Sequence, residues 1–225
     1  MTDPTMPLFS ATLSMLPKVL ALIALVAGVK LAVRRYFPRI KGRIGEKRVR
    51  GGLRALPPNY RVVNDILLKT RRGMSQIDHV VVSPYGIFVI ETKTYDGRII
   101  GTEGGQCWTQ VLPRSNKEFY NPVRQNYGHI QALRELLHEY HDLPYHSIIV
   151  FGGNCDLKDV QTSTPVLYEK DVAAHLLGVK GNVILPDRHT ERIALFLRKA
   201  DRKDHRARVE HIEEVRARKA AAGRR

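Results

Sequence analysis

The chain has 225 residues, a little long for one average domain and short for two; its 43% hydrophobic residues can bury a sizeable core, and its 17 glycines and 12 prolines exclude a collagen-like or low-complexity chain. Its two cysteines, Cys107 and Cys155, cannot build a disulfide framework or a zinc site alone, and read as free thiols of a reducing compartment, with one disulfide as the alternative. The net charge of +15 sits on the flanks: residues 34–54 hold nine Lys and Arg against one acid, residues 198–225 hold eleven against five, and residues 55–197 hold fifteen of each sign.

In chain order, Val19 to Val29 is an uninterrupted apolar run, and Leu13–Val33 fits a transmembrane helix with Lys18 and Lys30 near its edges. No basic segment precedes it, so a cleaved signal peptide fits less well. Arg34, Arg35, Arg39, Lys41 and Arg43 follow as a stop-transfer pattern, which places the rest of the chain in the cytoplasm as a single-pass membrane protein. The alternative is an amphipathic or buried helix. Ile44 to Leu56 carries a broken apolar stripe of helical period, stopped by Pro57-Pro58. Tyr60–Lys69 is rich in strand formers. Gln76–Ser83 and Ile87–Thr94 are strong strands joined at Pro84-Tyr85-Gly86, and their VVV and IFVI runs predict central strands buried on both faces. Arg98–Thr102 and Cys107–Leu112 are weaker strands around Gly104-Gly105. Asn121 as cap and Pro122 in the first turn open a helix to about Tyr140. Ser147–Phe151 and Pro165–Tyr168 read as strands, and Glu169–Leu177 and Thr190–Lys199 as helices. From Asp201 the tail is basic, helical or disordered. The order helix, three strands, helix, strand describes an α/β domain around one mixed sheet.

Polar residues inside apolar strands are the candidates for chemistry. Asp78 interrupts one strand; Glu91 and Lys93 end the next and point to one face. A two-residue loop, Pro84-Tyr85, would set Asp78 opposite Glu91 and Gln76 opposite Lys93; a bulge at Gly86 would shift this by one. Two neighbouring carboxylates repel unless a cation lies between them, and oxygen donors suit Mg²⁺ or Mn²⁺. Such an ion polarises a phosphoryl oxygen and lowers the pKa of a bound water, and Lys93 beside it would orient the attacking water or offset developing charge. Glu46, on the first helix, would add a metal or water contact. The competing reading is a strand-end ion pair between Glu91 and Lys93. His138, His141 and His146 cluster near a helix end, a weaker metal candidate. His79 and Trp108 read as structural, Gly152-Gly153-Asn154 is too short for a phosphate-binding fingerprint, and Arg71-Arg72-Gly73 reads as a solvated turn.

Gly45-Glu46, Gln76-Ile77-Asp78-His79, Gly86 to Lys93, Gly97, Trp108 and Asn121-Pro122-x-x-Gln125 together resemble the NERD family, the nuclease-related domain, which is similar to the PD-(D/E)xK nucleases. The resemblance covers about residues 40–152. It implies a restriction-endonuclease-like αβββαβ core with a mixed central sheet. It implies Asp78 and Glu91 as metal ligands, with Glu46 and the Thr92 carbonyl as further ligands, Lys93 as catalytic lysine, and Gln76 and Gln125 as supporting polar residues. Two departures stand out: Ile77, not proline, precedes Asp78, and His129 occupies the position where some related nucleases carry a tyrosine. The expected organisation is an anchor at 1–35, a nuclease-like domain at 36–155, an α/β extension at 156–200 and a basic tail at 201–225. The expected function is a membrane-anchored, Mg²⁺- or Mn²⁺-dependent nuclease that hydrolyses phosphodiester bonds. Its partners are nucleic acid, DNA ahead of RNA, and anionic lipid at the basic flank. The rival is a catalytically inactive module of the same fold that binds nucleic acid or a protein at the membrane.

Overall fold

The structure, a computed structural model, describes residues 6–71, 73–140, 142–202, 204, 208–209 and 212–213, with backbone alone for 6–16, 34–35 and 38–39. Arg72, His141 and most of the basic tail therefore lie outside the described residues. The chain divides into two compact units, residues 1–43 and the unit that begins at Ile44.

A single helix of 48 residues, α1 (Met6–Leu53), belongs to both units and stops short of Pro57-Pro58. The sequence pattern ended it at Leu56; Leu53 is its last helical residue. In the first unit, Val19, Leu20, Leu22, Ile23, Leu25, Val26, Val29, Leu31 and Val33 are 45–68% exposed. Among the described residues no helix is long and apolar enough to cross a membrane. The helix contains Lys18 and Lys30 within its apolar stretch. The expected transmembrane span over Leu13–Val33 thus gains no support from the structure.

The second unit contains β1 (Arg61–Thr70), β2 (Gly73–Ser83), β3 (Gly86–Thr94), β4 (Gly97–Thr102), β5 (Cys107–Leu112), β6 (Ser115–Tyr120), α2 (Pro122–Leu136), β7 (Tyr145–Gly152), β8 (Cys155–Gln161), β9 (Val166–Tyr168), α3 (Val172–Gly178) and α4 (Asp187–Ala200). The strands form two sheets rather than one: β1-β2-β3-β7-β9 and β6-β5-β4-β8. The first is mixed, with β1, β2 and β3 antiparallel and β3, β7 and β9 parallel. Strands β6 and β8 leave no clear pattern in the sequence, because SNKEFY is mostly exposed and CDLKDVQ has no apolar run.

Burial on both faces makes β2 and β3 the centre of the first sheet, as their apolar runs imply. On one face Val80, Val82, Ile87 and Val89 pack with Ile130 and Leu133 of α2 and Ile193 and Leu197 of α4. On the other, Val81, Phe88 and Ile90 pack with Val49 and Leu53 of α1 and Leu176 of α3. A third cluster joins the sheets, with the Trp108 ring stacked on Phe151 at 6.2 Å between centroids.

Two details of register position the site. Ser83 pairs with Gly86 and His79 with Ile90, so the β2–β3 hairpin has the two-residue loop and no bulge; Gly86, at φ 123°, supplies the turn conformation that side chains resist. Side-chain alternation also resets in β1 and β2. Val63 and Val80 are opposite each other and face α2, and so are Ile66 and Ile77, three positions further along. Strict alternation would turn the second pair away. The reset falls at Asp65 and Asp78, and Asp65, at φ 51°, is the one non-glycine with positive φ among the described residues.

Candidate active site

The β2–β3 ladder ends at His79–Ile90. Beyond it the Thr92 N–H, the next donor along β3, donates to Asp78 Oδ2 at 2.8 Å. A carboxylate thus stands where a main-chain acceptor would stand, held by the alternation reset described above.

Glu91 follows on β3 and is 2% exposed. Its Oε1 accepts from Lys93 Nζ at 2.5 Å and its Oε2 lies 3.1 Å from His129 Nε2. Lys93 Nζ also donates to Gln125 Oε1 at 2.9 Å. Helix α2 carries Gln125 and His129 one turn apart on a single face. Its position is fixed at both ends of this contact. Asn121 accepts from Val123 N at 2.9 Å as N-cap, while its amide donates to the carbonyls of Thr102, Glu103 and Gly105. Asn126 then donates to the Val89 carbonyl and to Ser147 Oγ, both at 2.8 Å, which ties α2 to β3 and β7.

Burial and the neighbouring Glu91 charge push the Asp78 carboxyl well above the usual carboxylate range. Burial acts the same way on Glu91, but the Lys93 charge and the His129 hydrogen bond outweigh it and hold that carboxyl down at about 2. Burial lowers the Lys93 pKa, but the charge and hydrogen bond of Glu91 together with Asp78 and Tyr95 outweigh it and raise it on balance. The site therefore keeps one carboxylate paired and leaves the other short of positive charge. An ionised carboxylate offers about four acceptor positions, and Glu91 spends two. The donors are all oxygen, which fits a hard divalent cation beside Asp78. Among the described residues no group of three or more His, Cys, Asp or Glu is arranged to hold a metal ion.

The remaining sequence candidates separate. Glu46 lies near enough for its charge to raise Asp78 further. Gln76, expected beside Lys93, instead donates from Nε2 to Asp65 Oδ1 at 2.8 Å, because the reset at Asp78 turns it to the other face. Thr92 contributes its N–H. His79, 1% exposed, has Nδ1 2.7 Å from Asn64 Oδ1, and burial with the nearby Arg50 charge lowers its pKa to about 4, in keeping with a structural residue. His146 stacks on Phe88. Arg71 pairs with Glu135 at the surface. Two residues at the site were not singled out for a role from sequence: His129 and Ser75, whose Oγ lies 2.9 Å from His129 Nδ1; nor was Asp65, the partner of Gln76, which also meets Arg208 Nη1 at 3.5 Å. The one signal for His129 was its spacing of four from Gln125.

The family model of the nuclease-related domain matches residues 41–152. An uncharacterised protein of Bacillus anthracis is 39% identical over 158 residues, covering 68% of this chain and 74% of the relative. No solved structure matches the chain significantly. The matched residues run from the helix bearing Glu46 to the end of β7 and enclose every side chain that meets Glu91 and Lys93, so this chain belongs to the NERD, or nuclease-related domain, family.

Proposed function

We propose that the protein is a metal-dependent nuclease that hydrolyses phosphodiester bonds of nucleic acid, DNA ahead of RNA. The observation that carries this is the single cluster of Asp78, Glu91, Lys93 and Gln125 at the end of β3. Asp78, Glu91, the Thr92 carbonyl and Glu46 would hold Mg²⁺ or Mn²⁺. When bound, such an ion supplies Lewis acidity toward a phosphoryl oxygen and a lowered pKa for water. Gln125 and Glu91 hold the Lys93 ammonium at a fixed point, where it offsets charge that develops on the phosphate during attack. Gln76, through Asp65, supports the strand that carries Asp78.

The exposed apolar face of Val19–Val33 and the five basic residues after it support a membrane anchor. Their sign supports a cytoplasmic catalytic unit, with the basic flank against anionic lipid. One observation favours the rival reading, an inactive nuclease-fold module: both Glu91 oxygens already have protein partners.

Plasmid nicking by the full chain in detergent, with and without Mg²⁺ or Mn²⁺, decides between them. The nuclease reading expects metal-dependent nicking that Lys93→Ala and Asp78→Asn abolish. Binding of nucleic acid without nicking in either metal would establish the inactive module.

A further inference from the structure

His129 joins two groups that no motif connects. On one side its Nε2 lies 3.1 Å from Glu91 Oε2, and on the other its Nδ1 lies 2.9 Å from Ser75 Oγ. Both His129 and Glu91 are buried, so neither nitrogen has water as an easy substitute partner. The meeting depends on the fold. Ser75 faces α2 only because alternation in β2 resets at Asp78; it stands opposite Leu68, whose side chain lies in the same α2-facing core. The polarity of the contact with Glu91 is determined. An ionised carboxylate only accepts, so Nε2 carries the proton and donates to Glu91. In the neutral ring this leaves Nδ1 to accept from the Ser75 hydroxyl. The Gln125 amide nitrogen lies 3.5 Å from the same Nε2, too far to compete and a donor facing a donor.

We propose that Ser75 and His129 form a hydrogen-bond relay that fixes the orientation of the Glu91 carboxylate, with His129 as a positioning residue that acts through Glu91. Lys93 holds one oxygen of Glu91 and the relay holds the other, so the carboxylate plane is set from two directions. The remaining acceptor positions then point at a fixed place, which is what a metal ligand needs before the ion arrives. The inference deepens the metal-site reading above and rests on it for its consequence in metal affinity.

The test uses ¹⁵N-labelled full chain in detergent and two readouts. Imidazole ¹⁵N shifts report the tautomer of His129, its signal identified by loss in His129→Gln. The relay expects one fixed tautomer with the proton on Nε2, and a mixture of tautomers in Ser75→Ala. Calorimetry with Mn²⁺ alone, without nucleic acid, reports affinity. His129→Leu should weaken Mn²⁺ binding by about tenfold or more. His129→Gln keeps an N–H donor and should retain more of the affinity. A wild-type His129 with the proton on Nδ1, a tautomer indifferent to Ser75→Ala, or an unchanged Mn²⁺ affinity in His129→Leu would each overturn the relay. Failure of wild type to bind Mn²⁺ overturns the metal reading, and the relay then stands or falls on the tautomer.

Discussion

Asp78 and Glu91 are chemically alike and yet are driven in opposite directions. Glu91 has Lys93 and His129 as partners; Asp78 has burial, the Glu91 charge and one main-chain N–H. The difference makes ionising Asp78 unfavourable in the folded protein. A carboxyl whose folded value is raised above its unfolded value of about 3.9 is harmless below that pH, and its contribution to stability is lost as pH rises through the folded value. Asp78→Asn should therefore melt at least as high as wild type at pH 7 with metal chelated, and the two should converge near pH 4. Thermal melts across that range check it, and a clearly lower melting temperature for Asp78→Asn at pH 7 would show that the Thr92 hydrogen bond outweighs the repulsion. Mutating Lys93 acts the other way. It leaves Glu91 buried with one partner fewer, which typically costs about 3–5 kcal/mol, and Glu91→Gln in the same chain should recover part of this. Urea titrations of the two single variants and the double variant measure the recovery.

At the scale of elements, the site is built where helices meet the ends of strands, and close approach makes it possible. Helix α1 crosses β3 at Gly45, where an added Cβ would stand 2.0 Å from Thr94 Oγ1 and 3.2 Å from its Cβ. Glu46, the next residue, is brought toward Asp78 by that contact. Gly45→Ala should push the helix from the strand and cost about 1–3 kcal/mol, as overpacking does. Thr94→Ala removes the nearest atom, so the double variant should be more stable than the sum of the single changes; additive losses in chemical denaturation would place the contact elsewhere. Helix α2 is held differently, by Asn121 at its cap and Asn126 against β3 and β7, and both asparagines were legible only in part. The cap follows from Asn121-Pro122 in the sequence. The Asn126 contact needs β7, which lies more than twenty residues away in the chain, so no local pattern announces it.

For the whole molecule, the question is what the apolar half of α1 rests on. The apolar side chains between Val19 and Val33 are exposed along the helix and basic residues follow them, so the anchor proposed above would cover them with lipid. The full protein expressed in cells should stay in the membrane fraction through a carbonate wash, and a chain lacking residues 1–35 should not. Release of the full protein by carbonate would limit the helix to a surface or protein contact, and an extracytoplasmic signal from a reporter fused after Arg225 would reverse the orientation.

The sequence by itself determined the central strands, the α2 cap, the hairpin at Pro84-Tyr85 as one of two options, and the family, because these depend on local pattern and on residue types at short spacing. It also singled out Asp78, Glu91 and Lys93 as candidates, since Asp, Glu and Lys in apolar strands stand out whatever surrounds them. Tertiary structure alone decided the rest. It chose the hairpin register, split the strands into two sheets, and turned Gln76 away and Ser75 inward through the paired reset at Asp65 and Asp78. It also placed His129 between Ser75 and Glu91. For the register and for the placing of Gln76, Ser75 and His129 the physical reason is shared: each depends on which face of a strand a residue presents, and where both faces are apolar, only packing against helices distant in sequence fixes that choice.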